Sequence, residues 1–300
     1  MFRFQNNFWV NLHHVLRGES RRRSVKVPLK VKVEELKDEE RLAWNAALDA
    51  YADFSRRDLI VDPQLVRANN ALTTVTGEST LDPRAGLDRA AARALTIAAP
   101  VYRAHYWPAQ RQLNDRWIAA LQPAVARHGA AMADALAKAY HATWPADPIL
   151  VDACAEAGPD GGYTTGGPSG TAAHSVIEAA NPEYQGEMAF EMVFHEASHA
   201  DALEMRITGA IDAEAARQGV TAPRNLWHVL IFYTVGELAR RELGRAGDEH
   251  YLPYAYRYGL YTRGWQPLRD ALARDWHPYL DGKTTFDAAM TALVRDTRQP

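Results

Sequence analysis

The sequence predicts a mainly helical α+β protein, and three observations carry that prediction. Apolar residues recur at helical spacing through most of the chain. The convincing β-type runs lie near the middle, and proline or Asp-Pro stands at several helix starts. The 300 residues are 47% hydrophobic and 24% charged, which is ordinary globular composition for one large domain or two.

The first helical pattern covers residues 7–16, with Phe8, Leu12, Val15 and Leu16 on one face. Residues 25–33 alternate apolar with basic side chains around Pro28, the pattern of an exposed edge strand. Helical patterns follow at 34–57, 63–74, 83–98, 108–127 and 130–144. Then the character changes. Residues 147–152 read as a short strand, 158–170 as a glycine-rich flexible loop, and 171–178 as a second strand closed by Asn181-Pro182. The loop lacks the Gly-Lys-Ser/Thr ending of a phosphate loop and does not open into a helix. Further helices are expected at 211–218, 225–243, 250–261, 267–276 and 286–295. The glycine run suggests a soft boundary between a helical scaffold, 1–146, and a second region, 147–300.

A net charge of −3 and a pI near 6.4 provide no basic field for nucleic acid, and Arg21-Arg22-Arg23 reads as a solvated turn. Cys154 is alone, so neither an internal disulfide nor a cysteine-based metal site is expected. No stretch is apolar enough to span a membrane and the first residues lack a signal-peptide pattern, so a cytoplasmic location is expected, although a secreted mature chain would look the same.

One pentad amounts to a chemical mechanism: His195-Glu196-Ala197-Ser198-His199. Its flanks, 187–194 and 200–205, are rich in helix formers without glycine or proline, which places the motif inside one helix. Histidines at i and i+4 share a face with Met188 and Met192 and suit one zinc ion, with Glu196 placed to activate a zinc-bound water. Zinc is the expected cofactor.

A catalytic zinc commonly takes three protein ligands. Glu237 is the expected third, because it ends the apolar run 226–236 and a buried carboxylate needs a cation; a salt bridge to Arg240 or Arg241 is the ordinary alternative. His228 is its rival, weighted lower as a capping or packing residue near the start of that helix. At about 100° per residue, His228 and Glu237 lie on opposite sides, so one of them can face the metal. Asp201, Glu204 and Asp212 are candidates for orienting a ligand imidazole. His13-His14 and His105 lack ligand spacing and read as packed or capping residues.

With Glu237 as third ligand, the ensemble resembles the gluzincin zinc metallopeptidases, in which His-Glu-x-x-His is completed by a glutamate on a following helix. The resemblance covers roughly 174–261 and implies a zincin-like catalytic region with a small sheet, peptide-bond hydrolysis, and a strand at 171–178 lying beside the cleft to pair with extended substrate. The chain departs from the group in the long gap from His199 to Glu237, in Arg240-Arg241, and in lacking the Gly-x-Met-Glu-Asn strand of the aminopeptidases. Tyr251, Tyr254, Tyr258 and Tyr261 would form one stripe if helical, with Tyr254 and Tyr258 the first candidates to stabilise an oxyanion and aromatic packing the plainer role. Glu178 would hold a substrate amine if it faced the cleft. The expected activity is a zinc metallopeptidase acting on a peptide or small-molecule substrate, with no nucleic-acid partner. A zinc hydrolase of another amide or ester, and a non-catalytic helical binding protein, remain the alternatives.

Overall fold

The computed structural model describes residues 1–81, 87–158, 161–245, 247 and 250–298. The protein is mainly α, with one small mixed four-stranded sheet. It divides into two compact units, and the division does not follow a cut after residue 146. A sheet unit combines Phe2–Ala120 with Asp147–Gln185, and a helical unit combines Met1, Leu121–Ala146 and Gly186–Pro300. Strand pairing explains the regrouping. β1 (Phe2–Gln5), absent from the sequence expectations, runs parallel to β2 (Ile149–Cys154) in the register Phe2↔Ile149.

In the sheet unit β2 is buried along its whole length, as its near-continuous apolar run requires for a strand covered on both faces. The order is β1-β2-β4-β3: β4 (Ala173–Glu178) is parallel to β2, and β3 (Gly162–Thr165) is antiparallel to β4. β3 lies in the glycine-rich run read as a loop; Pro159 and Asp160 of that run lie outside the described residues. α1 (Phe8–Ser24) starts where the Asn7 side chain accepts from the amides of Trp9 and Val10. α2 (Asp38–Ala50), α3 (Pro63–Leu72), α4 (Arg89–His105) and the first part of α5 (Trp107–Ala139) complete the unit. α3 is capped by Asp62 with proline in its first turn, and α4 is capped by Asp88. Residues 83–86, where α4 was expected to begin, lie outside the described residues. The core gathers Trp9, Leu12, Leu16, Trp44, Leu48, Tyr51, Leu95 and Tyr102.

Residues 25–33 form no strand. Pro28 has no amide proton, and the amides of Lys30 and Val31 donate to the buried Glu19 carboxylate instead of to a neighbouring strand, while Val25 and Val27 remain exposed. The helices expected at 108–127 and 130–144 are the single helix α5, which runs through Pro123.

The helical unit contains the remainder of α5, then α6 (Glu187–Ala197), α7 (Asp201–Gln218), α8 (Leu226–Arg245), α9 (Tyr254–Arg257), α10 (Gln266–Ala271), a π-type turn (Leu272–Trp276), α11 (His277–Leu280) and α12 (Phe286–Thr297). α6 packs on α8, and α7 on α12. The helix expected over 250–261 shrinks to α9: Gly259, at φ +64°, turns the chain, and the Leu260 amide returns to the Ala255 carbonyl. The four tyrosines therefore do not form one stripe. Among the described residues no helix is long and apolar enough to cross a membrane.

Candidate metal centre

α6 is buried from Met188 to Ala197, so its position is set by packing on all sides. It does not continue through the pentad. The Ser198 hydroxyl donates to the Phe194 carbonyl at 2.9 Å, the His199 amide to the Glu196 carbonyl at 3.1 Å, and Ala200 is extended before α7 begins at Asp201. The expectation of one helix through residue 205 is thereby corrected. His195 sits on the last turn of α6 and His199 in the turn that follows.

That turn still brings the two imidazoles together, with Nε2 of His195 3.3 Å from Nε2 of His199. Nitrogens held tetrahedrally at the usual zinc distance lie roughly 3.3 Å apart. His228, on the first turn of α8, supplies the third imidazole: its ring centroid lies 5.4 Å from that of His195 and 5.2 Å from that of His199. One ligand nitrogen from each of the three residues falls within 4.8 Å of the others, and among the described residues this is the one group of three His, Cys, Asp or Glu side chains that converges so.

The surroundings favour the neutral form of His195 and His228. Burial, reinforced by its histidine neighbours, pushes the pKa of His195 well below the ordinary histidine value; burial and His199 push that of His228 down to about 3. Neutral imidazole is the form that ligates. Glu204 accepts from Nδ1 of His199 at 2.7 Å, which leaves the Nε2 lone pair of that ring facing the cluster. Nδ1 of His195 is buried without a hydrogen-bond partner. Aromatic rings enclose the group: Phe232 stacks on His195 at 3.7 Å, Trp227 on His228 at 5.0 Å, and Trp265 meets His228 edge-on at 5.7 Å. Three convergent imidazole nitrogens in an apolar collar, one ring held by a carboxylate, could hold a metal ion.

The other expected residues are distributed differently. Glu196 is buried beside His195 in sequence. Glu237 is buried but is not brought to the histidines; Arg240 donates to it at 2.7 Å, the ordinary alternative for that carboxylate, and His277 lies 4.0 Å away. The helix geometry that put His228 and Glu237 on opposite sides holds, with His228 as the member facing the cluster. Of the three acidic residues considered for orienting a ligand, Glu204 hydrogen-bonds one of the three histidines, whereas Asp201 and Asp212 are exposed. Tyr254 stacks on Phe232 at 6.3 Å, and Tyr258 meets Tyr254 in a tilted contact at 4.9 Å.

The strand expected beside the cleft is β4, which belongs to the sheet unit and is paired on both sides, by β2 and β3, so it offers no free edge to an extended substrate. Glu178 accepts from the Ala157 amide at 3.4 Å and lies 4.0 Å from Lys30.

Glu191 was missed by the sequence analysis. It lies one turn before His195 on α6, fully buried, and accepts from the Tyr251 hydroxyl and the Tyr254 amide. Burial raises its pKa to about 7 against the lowering effect of those hydrogen bonds. Its four-residue spacing to His195 was the available signal.

No family model, curated protein or solved structure matches the chain.

Proposed function

We propose that the protein is a zinc-dependent hydrolase in which His195, His199 and His228 hold the metal, with peptide bonds as the substrate class. The observation that carries this reading is the convergence of three imidazoles, one buried and two half-buried, with Nε2 of His195 and His199 at tetrahedral spacing. The donor set departs from the gluzincin pattern, because an imidazole stands where that group has a carboxylate. Zinc held by three uncharged donors keeps its full positive charge for polarising a carbonyl and making water acidic.

Glu196 is the general base in this reading, taking the proton of the attacking water and passing it to the leaving amine. Glu204 fixes the tautomer of His199. The rings of Trp227, Phe232 and Trp265 exclude water and offer apolar surface to a substrate side chain. Tyr254 and Tyr258 are the hydroxyls assigned to the developing oxyanion, and their phenylalanine variants separate that role from ring packing.

The test is turnover of a mixed peptide pool by the full zinc-loaded chain, followed by mass spectrometry. Cleavage is expected to stop with a chelator, return with zinc, and fall on the order of 10²–10⁴-fold in kcat in Glu196→Gln with zinc content unchanged. Zinc-dependent turnover confined to non-peptide amides or esters would overturn the peptide assignment. Undiminished turnover in Glu196→Gln would overturn the role of that residue.

A further inference from the structure

The sheet unit carries a second polar constellation, remote in chemistry from the histidines. A cavity of about 270 Å³ is lined by Arg17 and Arg21 of α1, by the segment from Arg56 to Ile60 that leads toward α3, and by Ala157, Gly162 and Tyr163. Four arginines and one acidic residue, Asp58, thus line one cavity, and an Asp58 oxygen already accepts from the amides of Ile60 and Val61.

Arg17 makes this more than a charged surface. It is 5% exposed, and one of its terminal nitrogens donates to the Arg57 carbonyl at 2.7 Å. Its Nε is buried with no hydrogen-bond partner, and no carboxylate among the described residues lies within ion-pair distance of it. A buried guanidinium with an unmet donor is expensive unless something anionic completes it. Arg21, one turn further along α1, is exposed and adds repulsion rather than relief. Arg56 is exposed and has no ion-pair partner among the described residues, whereas Arg57 is neutralised by Asp53 and Asp62. Three arginines therefore offer free donors around one cavity. Leu59 and Ile60 add an apolar patch to the wall.

We propose that this cavity binds a small organic oxyanion. Its phosphate or carboxylate head is held by Arg17, Arg21 and Arg56, and its short apolar stem lies against Leu59 and Ile60. The planar fork of arginine suits both heads, and the cavity volume limits the ligand to metabolite size.

The test is calorimetric titration of the full chain with inorganic phosphate and, separately, with acetate, at low and at moderate chloride. One saturable site is expected for at least one anion, weakening as chloride rises. The double variant Arg21→Gln/Arg56→Gln, altered at exposed positions, is expected to bind at least ten-fold more weakly with an unchanged melting temperature in the absence of ligand. Arg17→Lys keeps the charge but loses the fork and is expected to weaken binding as well. Saturation by phosphate alone assigns a phosphate head, and by acetate alone a carboxylate head. No saturable binding of either anion, or binding by the double variant as tight as by wild type, would overturn the proposal. The second result also identifies an anion held elsewhere, at the histidine centre for example.

Discussion

In the sheet unit the buried imidazole of His174 has both nitrogens engaged. Nε2 lies 2.7 Å from the Asp152 carboxylate and Nδ1 3.3 Å from the Asn69 and Asn70 side chains, and Asp152 in turn accepts from Thr73 and Gln5. In the helical unit, His195, His199 and His228 point ligand nitrogens at one another, with one hydrogen-bonded carboxylate, Glu204, on the outer side of His199. Both centres are polar and set in apolar surroundings, but the first engages both nitrogens of its imidazole and the second converges three imidazoles on a point. An imidazole with both nitrogens hydrogen-bonded has none left for a ligand, although Oδ1 of Asp152 and Oδ1 of Asn69 stay buried without partners. Convergent ligand nitrogens can hold a cation. An orphaned nitrogen alone does not distinguish them, since Nε2 of His13 is also unpartnered yet no three ligand atoms converge there.

The largest effect expected from this contrast is on stability. Asp152→Ala leaves the fully buried His174 Nε2 without its hydrogen-bond partner and is expected to destabilise the protein by about 1–3 kcal/mol, the usual cost of an unsatisfied buried polar group. Zinc content of the folded fraction should be unchanged; denaturant melts with metal analysis would show it. Equal loss of zinc would mean the two centres are coupled. The next effect is on metal affinity. Glu204→Gln is expected to weaken zinc binding 10–100-fold in a competitive chelator titration, with little change in melting of the metal-free protein. An unchanged affinity would remove Glu204 from the orienting role.

The smallest effect at neutral pH is a slope that develops only on acidification. Burial, with Arg17, lowers the pKa of His13 to about 3 from 6.5. The unfolded chain therefore takes up the proton first. The stability associated with neutral His13 is complete above pH 6.5 and is lost as pH falls toward 3, by about 1.4 kcal/mol per pH unit. His13→Gln is expected to flatten that part of the acid limb, and an identical slope in the variant would contradict it.

The sequence made the pentad and the apolar character of α8 plain, because both are local patterns. The third histidine was legible as a choice: helix geometry restricted the metal to His228 or Glu237, but burial of Glu237 spoke for a cation without saying which one, and Arg240, three residues on, is that cation. The break after Ala197 was hidden because helix formers continue across it; the competing hydrogen bond comes from Ser198. β1 was hidden for a different reason. Its four residues have a strand's identity only beside β2, which lies more than a hundred positions further along the chain. The strand expected at 25–33 failed by the converse logic, since Glu19 takes the amides of Lys30 and Val31 that a ladder would have used.

The central claim is the identity of the third ligand, and metal analysis of three proteins tests it most directly. Wild type, His228→Ala and Glu237→Ala are to be purified alike, loaded with zinc, passed through a weak chelator and measured for zinc per chain. The account predicts stoichiometric zinc in wild type and Glu237→Ala and its loss from His228→Ala. Zinc retained by His228→Ala and lost from Glu237→Ala, or no zinc held by wild type, would contradict it.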